Sequence, residues 1–159
     1  MDVLYFIKEE YTAVRHSLRS LTGDEDEPIL TDATLKLFLR HVEFVARIAE
    51  ELILPELADA ATTGLAAIAQ ATEQSAELGR IVLSSLKSGR MGESKRREFS
   101  SYLSSHISHM EQFVLPMFRV EIPTQAREEL GLVARDIKGE SFLELDRKMS
   151  ESHSLAKVE

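Results

Sequence analysis

Two stretches of this chain end in the same way. VARIAEELILPEL (Val45–Leu57) aligns without a gap on HISHMEQFVLPMF (His106–Phe118), matching Glu50 to Glu111, Leu54 to Leu115 and Pro55 to Pro116. The segments upstream match more weakly, EEYTAVR (Glu9–Arg15) against TEQSAEL (Thr72–Leu78), which sets Tyr11 opposite Gln74. Such a repeat predicts two related helical hairpins with a pseudo-twofold axis through their common core, so that equivalent residues face one another near the middle.

Apolar periodicity supplies the helices. Leu4, Ile7, Tyr11, Val14, Leu18 and Leu21 recur every three or four positions, which predicts an amphipathic helix from Asp2 to about Leu21. Gly23 ends it, and Asp24–Pro28 reads as an acidic turn-rich loop. Thr31 or Asp32 can cap a second helix with Leu35, Phe38, Val42, Val45, Ala49 and Leu52 inward, which Pro55 stops or kinks. A third helix, about Thr62–Lys87, shows Leu78, Ile81, Val82 and Leu86 to the core, with Ala67, Ala71 and Gly79 allowing close approach. After a loop at Ser88–Gly92, the fourth carries Phe99, Leu103, Ile107, Met110, Val114 and Met117 on one stripe and ends at Pro116.

Four long helices with short connections predict an all-α, up-down-up-down four-helix bundle over residues 1–120. Residues 121–159 read as a helical extension packed on the same domain. A helix follows Pro123 to about Ile137, Lys138-Gly139 breaks it, Ser141–Met149 forms a short helix, and Ser150–Glu159 frays.

Composition narrows the function. The chain has no cysteine, which excludes disulfides and thiolate ligands and fits a cytoplasmic protein. Acidic residues at Asp2, Glu9 and Glu10 do not suit a secretory leader, and no apolar run reaches the roughly 20 residues a membrane span needs. The net charge of −8 argues against nucleic acid and anionic membranes as partners. The basic run Lys95, Arg96, Arg97 reads as a solvated first helical turn. No Ser-His-Asp grouping, phosphate loop or zinc-protease motif is present, and whether the chain is an enzyme stays open.

The candidate chemistry lies on the inward faces. His106 falls inside the fourth stripe, with Glu111 on one shoulder and His109, expected to be exposed, on the other. Tyr11 lies on the first seam, Glu50 on the shoulder of the second helix, and Gln70 and Gln74 on one side of the third. All sit near the midpoints of their helices, so one polar layer can contain them. His41 reads as structural, and His16 and His153 as surface or tail residues. A ferritin-like site needs Glu-x-x-His on two helices, but Ile53, Leu54 and Val114 stand where those histidines belong.

This layout resembles the hemerythrin-like (HHE cation-binding) family, four-helix bundles whose centre commonly holds non-haem di-iron. The resemblance rests on His106, Glu111 and Pro116 in the fourth helix and on Glu50, Glu51 and Leu54-Pro55 in the second. Where the family places further histidines, the chain carries Tyr11, Val45 or Ala46, and Gln70 and Gln74. A di-iron centre needs five or six N/O donors per ion, more than these residues offer.

Two functions follow from the resemblance. One is a cation-binding protein with a reduced site, where His106, Glu111, Glu50 and Tyr11 hold one iron or another divalent ion for sensing, storage or a minor redox role. The other is a metal-free bundle serving as an interaction or regulatory module, with a protein partner or a second copy of itself.

Overall fold

The first helix shows the logic of the whole. Every residue of its stripe, from Leu4 to Leu21, is buried, and each large aliphatic side chain so placed contributes about 1.5–3 kcal/mol. The helix is α1 (Val3–Thr22), and Asp2 caps it by accepting the Leu4 N–H at 2.8 Å. The computed structural model describes residues 1–22 and 32–156, and the side chains of Thr22, Asp32 and residues 141–156 lie outside that description. The acidic loop, its Gly23 stop, the cap at Thr31 or Asp32 and the side chain of His153 therefore fall outside the described residues.

The chain is all-α: among the described residues every regular element is helical. After α1 come α2 (Asp32–Ile48), a π-helical turn (Ala49–Ile53), α3 (Leu54–Ala60) and α4 (Leu65–Ser88). Then follow α5 (Glu93–His109), a second π-helical turn (Met110–Val114), α6 (Leu115–Glu121) and α7 (Thr124–Ala156). Helix α1 packs on α2, α2 on α4, α4 on α5 and α5 on α1, a closed cycle around one apolar core. Gly89, at φ 69°, ends α4 in the left-handed conformation that favours glycine. None of the described helices is long and apolar enough to cross a membrane.

The repeat is visible in the backbone. Pro55 and Pro116 lack an N–H, and each ring would strike the carbonyl four residues back in a regular α-helix. In both places the turn before the proline widens: the Leu54 N–H reaches the Ala49 carbonyl and the Leu115 N–H reaches that of Met110, five residues back. The helices then continue, so Pro116 does not end the fourth helix as the pattern predicted, and at Pro55, where the pattern allows a stop or a kink, the helix does not stop. Each widened turn holds one residue more than an α-turn and shifts the buried face. Beyond it Leu115, Phe118 and Ile122 are buried, while Met117 is only half-buried.

The extension differs from its sequence pattern. Helix α7 runs unbroken through Lys138-Gly139 and on to Ala156, so the expected break at 138–139 is absent and the expected frayed tail is helical as far as Ala156; residues 157–159 lie outside the described residues. Tertiary contacts outweigh the roughly 1 kcal/mol that a mid-helix glycine costs. Ala134 and Ile137 enter the core, and α7 packs on α1 and α2. Asp2 pairs with Arg127 at 2.9 Å near the start of α7, and Glu10 pairs with Lys138 further along. Between these pairs the backbones meet at Gly131, where a Cβ would overlap the Met1 carbonyl.

Candidate functional site

Helices α1 and α5 bring Tyr11 and His106 to one small interior cavity. It holds about 10 Å³, room for one water at most. Val14, Val42, Val45, Ala46, Leu78 and Leu103 line the rest of its wall. Tyr11 is fully buried, and its hydroxyl has no hydrogen-bond partner, although a buried tyrosine ordinarily finds one. Burial pushes the phenol pKa well above its usual value, the nearby Glu111 carboxylate adds to this, and Arg15 opposes it. Tyr11 is therefore a neutral phenol at any physiological pH.

His106 is 2% exposed. Its pKa falls to about 4, chiefly because burial disfavours the charged ring and secondarily because His109 is near. The neutral ring donates from Nδ1 to Gln74 Oε1 at 2.9 Å, which leaves Nε2 to accept from the Ser75 hydroxyl at 3.3 Å. Both partners come from the middle of α4. Gln74 thus fills the role expected of it in the polar layer, whereas Gln70, one turn earlier, is exposed.

The carboxylates are placed differently. Glu111, in the second π-helical turn, is held by Arg15 of α1, whose Nη1 donates to both carboxylate oxygens at 2.7 and 2.9 Å. Glu50, in the first π-helical turn, is exposed, and loss of hydration followed by the adjacent Glu51 raises its pKa. Of the four expected ligands, Tyr11 and His106 share the cavity, Glu111 is held by Arg15 and does not line it, and Glu50 is exposed.

This donor set does not fit a metal ion. Both ring nitrogens of His106 and both oxygens of Glu111 already have partners, and Tyr11 keeps its proton. Among the described residues no group of three or more His, Asp and Glu is placed to share an ion.

Two other histidines carry weight. His109 is buried rather than exposed, donates from Nε2 to the Ala67 carbonyl at 2.9 Å, and has Phe113 beside its ring at 5.4 Å. His41 stacks on Phe44, and its Nε2 lies 2.5 Å from Glu10. Glu10, missed in the sequence, is the most buried carboxylate among the described residues: its side chain is 8% exposed and lies between His41 of α2 and Lys138 of α7. Burial alone would raise its pKa, but the hydrogen bonds and charges of His41 and Lys138 reverse this and bring it below the ordinary value. A signal for it existed. Val3 and Phe6 lie beside the main stripe of α1, and Glu10 continues their row by one turn.

Compared with protein-family models, with curated proteins and with solved structures, the chain has no match.

Proposed function

We propose that this chain is a hemerythrin-like, up-down-up-down four-helix bundle whose central cavity has closed, and that it works as a metal-free interaction or regulatory module. The observation that carries this is the convergence on one cavity of Tyr11, Val45, Ala46 and His106, positions where the resemblance calls for metal ligands. Tyr11 stands there in place of one imidazole, and Val45 or Ala46 in place of another. The remaining histidine is occupied by Gln74 and Ser75. The closed cycle of helix packing and the matched π-helical turns before Pro55 and Pro116 support the hemerythrin-like assignment.

Metal analysis of protein purified without chelator tests it, with an iron-loaded sample beside it. The expected result is no stoichiometric metal and a melting curve unmoved by iron. His106→Ala should cost about 2–4 kcal/mol through a lost hydrogen-bonded pair and a cavity. Near-stoichiometric metal that disappears in His106→Ala would refute the proposal and restore the cation-binding reading with His106 as its ligand.

A further inference from the structure

A second feature lies outside the core. Where α1 packs on α5, a surface groove of about 460 Å³ is lined, among the described residues, by Arg15, Arg19 and Arg97, by Ser100, Ser101 and Ser104, and by the apolar Leu18. The helical period explains the grouping. Arg15, Leu18 and Arg19 lie at i, i+3 and i+4 on α1, and Arg97, Ser101 and Ser104 at i, i+4 and i+7 on α5.

The lining runs against the rest of the molecule. The chain has 27 acidic and 19 basic residues, yet among the described residues three arginines and three serines line this groove and no acidic residue does. Among the described residues Glu111 holds Arg15, Arg19 is likewise not without a partner, and Glu93 pairs with Arg97 at 2.8 Å in an exposed i,i+4 contact. An exposed pair of that kind is weak enough for a bound anion to displace. Ser100 adds an independent observation. It is 7% exposed and lines the groove, and its hydroxyl has no hydrogen-bond partner, which a buried hydroxyl ordinarily has.

We propose that this groove binds a phosphate group, the arginines supplying charge and planar paired donors and the serine hydroxyls the remaining hydrogen bonds. Several guanidinium groups favour a dianion over a carboxylate. The volume lies within the range of small-molecule sites and exceeds what bare phosphate fills, so the expected source is a small phosphate monoester. Among the described residues the groove shares no lining residue with the interior cavity.

The test is calorimetric titration of the full chain with inorganic phosphate and, separately, with glycerol phosphate. Arg15 stays intact because it also anchors Glu111. Arg97→Gln combined with Ser104→Ala changes only exposed side chains and should keep the wild-type melting temperature. We expect saturable binding that weakens by about tenfold in this double variant, the loss of a charge-assisted contact and a hydroxyl. As a control, Arg80→Gln removes an exposed positive charge that does not line the groove and should leave affinity unchanged. Tighter binding of glycerol phosphate assigns the site to esters, and equal binding assigns it to orthophosphate. Absence of saturation with either probe overturns the proposal, as does an equal loss in Arg80→Gln, which would mean diffuse attraction only.

Discussion

Glu10→Gln is the most informative single change, because one buried carboxylate joins three helices. The glutamine keeps the shape and some hydrogen bonding but removes the charge that faces His41 and Lys138. Breaking a fully buried pair costs about 3–5 kcal/mol, but Lys138 is 39% exposed and regains water, so the cost should fall to about 1–2 kcal/mol. In a chain of this size that lowers the melting temperature by about 4 °C. The pH dependence separates charge from shape. Folding lowers the Glu10 pKa below 4.5, so its contribution is fully present above that value and is lost as pH falls through the depressed folded pKa. His106, whose pKa drops to about 4, weakens the fold as pH falls from about 6.5, but equally in both proteins, so it cancels in the difference. Urea unfolding of wild type and Glu10→Gln at a series of pH values should give a stability gap that closes in acid. Hydrogen exchange should show α7 loosened first over Thr124–Ile137. A gap that ignores pH, or an α7 as well protected as before, would refute the assignment of Glu10 as the charged joint.

Other changes test the remaining structure. Tyr11→Phe removes a buried hydroxyl that has no partner, so it should leave stability unchanged or raise it by up to about 1 kcal/mol. A loss above that in thermal melts would mean the hydroxyl has a partner. Gly131→Ala places a Cβ against the Met1 carbonyl and should cost about 1–3 kcal/mol, read as faster amide exchange at the start of α1. Pro116→Ala removes the ring that excludes a regular turn and should let the second π-helical turn relax toward α geometry. The resulting one-residue shift would show in the chemical shifts of Glu111 and His109, and unchanged shifts at both would argue against proline as the cause.

The stripes of α1 and α2 could be read directly, because burial on a helix follows a fixed angular period and Leu4 to Leu52 obey it. The paired Glu50/Glu111 and Pro55/Pro116 were equally plain, since a gapless repeat needs no tertiary knowledge. The candidate layer was only half legible. His106 and Gln74 do meet, but Gln70 and Glu50 face solvent, and His109 is buried where the pattern placed it outside. A shoulder position is core or surface according to how the neighbouring helix is rotated, and no local pattern encodes that rotation.

What the sequence by itself determined is the all-α class, the inward faces of the first two long helices and the related ends of the second and fourth; on the third, Ile81 and Leu86 are only half-buried. Periodicity and proline chemistry act within a few residues of chain. Only the tertiary structure decided which polar groups are neighbours. Arg15 finds Glu111 at a separation of 96 residues, and Lys138 finds Glu10 at 128. Such pairs depend on how whole helices dock, and docking is set by the summed packing of the core.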